Sequence, residues 1–253
     1  IFDTCIFKHF GGSGIYFTGG ISNSKVQNSI FYDISGTAIQ LGDYDTQYET
    51  NLLKRDMFNT IFNNLIYSVA IEYHGNVGIS VGYTSYTNIS HNEIHNLTYG
   101  GISIGWGWSR YNDTNAGNNT IEYNDIHDFK TLLGDGGGIY ALGPQLNSII
   151  QYNYIHNMAS GRGGGGYYPD EGSAYWLIQS NVFSNASFCS DDCEWLHIWT
   201  SSIHDIIVND CYSDTTTEEN NGIDCPESDL TFITNNEDWP DEAVNIMGNA
   251  GLL

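Results

Sequence analysis

Asp135 lies inside Gly134-Asp135-Gly136-Gly137-Gly138, and Asp170 and Glu171 lie between Tyr168-Pro169 and Gly172. Two carboxyls flanking a glycosidic bond suffice to hydrolyse it. One protonates the leaving oxygen, and the other attacks the anomeric carbon or activates a water. The surrounding glycines let backbone and a bound sugar approach closely. Asp135 with Asp170 or Glu171 is therefore the candidate catalytic set. Asp135 precedes its strand whereas Asp170 follows its own, so the pair requires the 129–137 loop to fold back. Acids this dense also serve as turn residues or as calcium ligands; calcium is left as an optional ion, and no cofactor is required. Glu72, His74, Trp106, Trp108, Tyr140 and Tyr168 are candidate substrate-binding side chains. Aromatic faces stack on sugars, and carboxylates accept hydroxyl hydrogen bonds. For Trp106 and Trp108 the competing reading is plain loop packing. His197 joins His74 as a further site candidate.

The elements that must position these groups are marked by a repeat. A triplet of Asn, any residue and an apolar residue recurs at Asn28, Asn64, Asn92, Asn124, Asn153, Asn181 and Asn209, at intervals of 36, 28, 32, 29, 28 and 28 residues. Thr4-Cys5-Ile6 reads as an earlier copy. Second strands begin at Ala38-Ile39, Ala70-Ile71, Gly101-Ile102, Gly138-Ile139 and Gly166-Tyr167, and a third apolar stretch precedes each next Asn. One such unit cannot bury its own apolar face, but units stacked at about 4.8 Å can. The pattern predicts an all-β, right-handed parallel β-helix of about seven coils over residues 1–212, with the Asn side chains in an inward ladder. Residues 213–253 then form a loop and a short helix capping the open end. A β-propeller is the competing fold, but its blades are longer. His95, His127 and His156 each stand three residues after a ladder Asn. Stacked histidines can hold a metal. Phe31, Tyr67 and Ser184 fill the same column, so it reads as a surface stack and no metal is assigned.

Thirty Asp and Glu oppose seven Lys and Arg, a net charge of −23. Such a chain repels nucleic acid and anionic membranes, and no apolar run is long enough to span a bilayer. A neutral poly- or oligosaccharide is the expected partner. The five cysteines are not arranged as a zinc site; the pairs Cys189–Cys193 and Cys211–Cys225 are expected disulfides, with Cys5 left over. Sequons at Asn88, Asn96, Asn112, Asn118 and Asn185 point to the same secreted or surface location. The chain opens at Ile1 inside an apparent strand, so an upstream segment is expected.

The chain resembles the pectin-lyase-like superfold. More closely, it resembles bacterial right-handed β-helix glycoside hydrolases akin to families 120 and 141. The resemblance rests on Ile71-Glu-Tyr-His-Gly75, His91-Asn-Glu-Ile-His95, Gly101-Ile-Ser-Ile-Gly-Trp-Gly-Trp108, Asp135-Gly-Gly-Gly-Ile-Tyr140, Asp170-Glu-Gly-Ser173 and Trp239-Pro-Asp-Glu-Ala243. It implies paired acids on the helix face that cleave glycosidic bonds, which favours Asp135 with Asp170 or Glu171. Two other functions stay open. A non-catalytic glycan-binding, adhesive or fibre-forming helix would associate end to end through its open coils. A polysaccharide lyase needs a basic residue, and only Arg110 and Arg162 fall near the expected groove.

Overall fold

The computed structural model describes residues 1–108, 114–185, 189, 192–233 and 238–253. They wind into a right-handed parallel β-helix, the hand that parallel crossovers take. Among the described residues, the first sheet has nine strands, from Phe2–Asp3 to Glu227–Ser228. The second also has nine, from Ile6–Phe10 to Thr231–Phe232. The third has eight, from Ile15–Phe17 to Glu219–Asn220. One rung before Asn28 and one after Asn209 thus extend the coils marked by the repeat.

Side chains alternate across each strand, and the inward ones stack. Ile61, Ile89 and Ile121 line the first sheet, Ile66, Ile94 and Ile126 the second, and Ile39, Ile79 and Ile102 the third, all buried. The corner between first and second sheets is a single left-handed residue such as Asn63, Tyr123, Tyr152 or Ser180. The next residue begins the ladder. Asn64, Asn92, Asn124, Asn153 and Asn181 are fully buried. The Asn124 side-chain oxygen Oδ1 accepts from the Asn92 backbone N–H at 3.1 Å and from the Asn92 side-chain amide at 2.9 Å. The Asn124 amide in turn donates to Ile89 O and to Asn153 Oδ1, both at 2.9 Å.

The ladder differs from expectation at its ends. Ser29, not Asn28, occupies the ladder position, its N–H donating to Asn64 Oδ1 at 3.1 Å. Asn28 is instead the left-handed corner residue and is exposed. Pairing of Val182 with Tyr212 sets Cys211, not Asn209, over Asn181. In these coils the triplet begins too early, by one residue at Asn28, which turns the side chain to the other face, and by two at Asn209, which aligns with Gln179 on the first sheet.

Cys189 and Cys193 are disulfide-bonded, as expected, but Cys211 and Cys225 are both free thiols. They belong to different columns. Cys211 continues the Asn ladder, whereas Cys225 sits a coil later, just before the strand Glu227–Ser228 that pairs with Ile207–Asn209. The C-terminal helix Asp241–Asn249 packs Ala243 and Ile246 against Val182 and Tyr212. The tail then runs back along the coils. Gly251 N–H donates to Tyr123 O and Leu253 N–H to Asn63 Oδ1, both at 2.8 Å. Helix and tail thus lie along a flank of the stack, with Tyr152 and Tyr154 of the outer corner packed against the same cluster.

Candidate active site

The outward column of the third sheet is set by strand register. Gln40 aligns with Ser80, Ser80 with Ser103, Ser103 with Tyr140 and Tyr140 with Tyr168. His197 follows, its ring 4.5 Å from that of Tyr168, and Glu219 aligns with His197. One coil departs from the expected repeat: its strand starts at Gly78-Ile79, not Ala70-Ile71. Only glycine fits at 78, where a Cβ would lie 2.6 Å from Ile94 Cγ2. Residues 71–75 instead form an exposed loop. Glu72 and His74 are therefore exposed loop residues, not members of the column.

A cleft of about 460 Å³ runs over this face, lined among others by Gln40, Tyr44, Ser80, Tyr99, Ser103, Trp106, Trp108, Asp135 and Tyr140. Trp106 and Trp108 meet edge to face at 4.8 Å, and Tyr44 lies 4.8 Å from Trp106. Both tryptophans keep a third or more of their surface exposed, so they form a wall rather than core.

Asp170 is buried at the end of the strand Gly165–Pro169. Its Oδ2 accepts from Tyr140 Oη at 2.6 Å, and its Oδ1 accepts from Trp199 Nε1 and from the Glu171 backbone N–H, both at 2.7 Å. These donors hold the carboxylate in one orientation. Burial and the bond to Asp170 push the Tyr140 phenol far above its usual range, so it stays a donor. Glu171 follows, half-buried at the turn. Asp135 is exposed at the cleft, its Oδ1 accepting from Gly136 N–H at 2.8 Å.

Residues 131–133 run beside the preceding coil, Thr131 N–H donating to Leu97 O at 3.2 Å and Leu133 N–H to Thr98 O at 3.0 Å, and Asp135 lines the cleft with Tyr99. Tyr99 is pushed up to about 12 by burial and then by the charges of Asp135 and Asp170. The same two acids, after burial, raise Tyr168. Gly136 makes this approach possible. It has a φ of +91°, and a Cβ there would lie 2.8 Å from the Tyr99 ring.

Beneath the loop lies Lys130, 1% exposed, donating to Gly136 O at 3.3 Å and to Arg162 O at 3.2 Å. Burial lowers it to about 8, against the pull of Asp135 and Glu194. His197 is hydrogen-bonded through Nδ1 to Glu194 and faces Glu219 at 3.4 Å.

The structure thus gathers Asp135, Asp170, Tyr140 and Tyr168 on one face, with Trp106 and Trp108 on the cleft wall. Sequence reasoning missed Tyr99, Lys130, Glu194, Trp199 and Glu219. Continuing the Tyr140–Tyr168 column through His197, already a candidate, to the next coil would have found Glu219. Nothing periodic marks Tyr99, Lys130 or Trp199. Of the sequons, Asn96 and Asn185 are exposed, Asn88 and Asn118 are half-buried, and Asn112 lies outside the described residues, as does Arg110. No helix of the described residues is long and apolar enough to cross a membrane.

No protein-family model and no curated protein matches the chain. A solved structure named "Glycoside hydrolase" is similar to it at 23% identity with a TM-score of 0.73. That similarity covers 99% of this chain but 38% of the other, so the chain spans well under half the length of its structural neighbour. The likeness establishes a shared fold.

Proposed function

We propose that the chain cleaves glycosidic bonds of a poly- or oligosaccharide in the cleft of the third sheet, with Asp135 and Asp170 as the carboxyl pair. The observation that carries this reading is that Asp135 and Tyr140 line one aromatic cleft and that the Tyr140 hydroxyl donates to Asp170 Oδ2 at 2.6 Å. The neighbour's name and the shared fold support it, though fold alone does not determine chemistry. Kinship with the pectin-lyase-like superfold and with families 120 and 141 belongs to the same reading.

Asp170, held by Tyr140 and Trp199, is suited to the nucleophile or base, because its oxygens are aimed before substrate arrives. Asp135, on the open side, is suited to the acid. It gives its proton to the glycosidic oxygen as the C–O bond breaks and the electron pair leaves with that oxygen. Asp170 then either bonds the anomeric carbon, to be displaced by water, or takes a proton from the water that attacks directly. In the first route Asp135 is restored by taking a proton from that water; in the second Asp170 passes its proton to solvent and Asp135 regains one there, and in both the water's other proton stays on the sugar's new hydroxyl. Tyr140, kept protonated, holds Asp170 throughout. Trp106 and Trp108 offer stacking faces for sugars on one side of the cut. With a net charge of −23, a neutral glycan is favoured over a uronate polymer. Lys130 does not serve as a lyase base, since its ammonium is buried and donates to two carbonyls. The disulfide fits an oxidising, extracytoplasmic setting.

The test is reducing-end release from a panel of neutral polysaccharides. Asp135→Asn and Asp170→Asn each remove proton chemistry while keeping shape. Each should cut turnover by about 10²–10⁴-fold while leaving glycan affinity close to the parent's. Glu171→Gln should retain most activity, which assigns the second carboxyl to Asp170.

A further inference from the structure

The outer face of the second sheet carries a column of imidazoles beside a column of carboxylates. In-register pairing sets Glu93 beside Asp125 and His95 beside His127, and His127 beside His156. Residues i and i+2 of a strand share a face, so both columns point the same way. The rings of His95 and His127 stack at 4.7 Å, as do those of His127 and His156. Sequence spacing alone reads these histidines as a surface stack; the register adds the acids. Glu93 Oε1 lies 3.9 Å from His95 Nε2 and 3.8 Å from His127 Nε2, and Asp125 Oδ1 lies 3.0 Å from His156 Nε2. The donor atoms of Glu93, His95 and His127 all lie within 4.8 Å of one another, and so do those of Asp125, His127 and His156.

Two further observations point to a ligand. His127 Nδ1 is engaged by Asp128 Oδ2 at 2.8 Å, which leaves Nε2 directed at the cluster. A carboxylate on the far ring nitrogen is the support that metal-ligating histidines commonly carry. His156 Nδ1 is buried without a hydrogen-bond partner, so hydrogen bonding alone does not account for this ring's placement.

We propose that this face binds a divalent transition metal of the zinc class through Glu93, His95, Asp125, His127 and His156, with His127 common to two overlapping triads. Two imidazoles and one carboxylate per triad suit zinc-like ions rather than calcium, which takes oxygen donors. Donors around a tetrahedral ion, each at about 2.1 Å, lie about 3.4 Å apart, roughly 1 Å closer than the widest separations here. Side-chain rotation therefore closes either triad without moving the strands. A bound ion would staple two successive coils, and the two triads together span three. It lies on a different sheet from the cleft, so metal binding and glycan cleavage can be tested separately.

The experiment is calorimetric titration of Zn²⁺ into the full chain, with Tm followed in parallel. Micromolar or tighter binding is expected, with Tm raised by roughly 5–10 °C at a hundredfold excess over Kd. His127→Gln should weaken binding at least about tenfold. The double variant E93Q/D125N, which changes only partly exposed side chains, should do the same if His127→Gln disturbs folding. A His204→Gln control should bind as the parent does. The proposal is overturned if the parent shows neither heat nor a Tm shift at millimolar Zn²⁺. It is equally overturned if both cluster variants bind within about twofold of the parent, or if binding is lost in His197→Gln but kept in both of them.

Discussion

Lys130 shows how one residue ties the interior of this protein to its candidate chemistry. Its ammonium is 1% exposed and caps the carbonyls of Gly136 and Arg162, which border the Asp135 loop. Burial holds it at about 8 in the folded chain, against an ordinary lysine value of 10.5. Below pH 8 both folded and unfolded chains hold the proton, and the cost of burying the charge is fully present. Above pH 8 the folded chain releases it first, so the unfolded chain binds more protons and stability rises with pH. The free energy of unfolding should therefore gain about 1 kcal/mol between pH 8 and 9, relative to Lys130→Met. Urea melts of both proteins across that window check it; parallel profiles would contradict it. Above about pH 9 the raised thiols and tyrosines pull the other way, because the unfolded chain then loses their protons first.

The element that defines the fold is the rung, and what fixes each rung is its corner. A left-handed residue followed by a buried Asn closes the turn between first and second sheets, and the Asn amide satisfies backbone groups that no strand can reach. Asn124→Leu keeps the volume but strands the donors and acceptors it served, among them the Asn92 N–H. We expect a loss of about 2–4 kcal/mol, read as a lower urea midpoint with unchanged slope. A change under about 0.5 kcal/mol would contradict the ladder's role. The same columns explain the two thiols. Cys211 is buried in the ladder and raised to about 12 by burial, whereas Cys225 is half-exposed. Iodoacetamide at neutral pH should label Cys225 and spare Cys211 in the native protein, as mass spectrometry would show. Finding the two joined would restore the bridge expected from sequence.

Across the whole molecule, the coil architecture was legible because stacking demands repetition: each rung must offer an apolar residue, a corner and a ladder side chain at equivalent places. Asn64 through Asn181 could be read directly for that reason. The repeat misled where a coil carried an insertion. Residues 70–77 separate the apparent anchor Ala70-Ile71 from the true one at Gly78-Ile79, which moved Glu72 and His74 off the face. At Asn28 and Asn209 the motif survived in letters but not in register. The candidate site was half legible. Asp135, Tyr140, Tyr168 and Asp170 carried a composition signal, glycine beside acid and aromatic. Tyr99, Lys130 and Trp199 reach the site from loops or from beneath it, where no periodicity applies. Glu219 lies in the coil where Cys211 has replaced the ladder Asn, so the marker that aligned earlier coils was gone.

The central claim is that Asp135 and Asp170 together cleave a glycosidic bond on the face of the third sheet. It is tested most directly by following anomeric protons by NMR during digestion of a glycan that the parent protein binds, with Asp135→Asn and Asp170→Asn beside it. The account predicts that the parent releases new reducing ends in a single initial anomeric form. Retention would correspond to carboxyls working about 5–5.5 Å apart and inversion to about 6.5–9.5 Å. Both amide variants should bind the same glycan and generate reducing ends about 10²–10⁴-fold more slowly. A parent that binds the glycan in this cleft yet releases no reducing ends would contradict the account. So would an Asp170→Asn variant as fast as the parent.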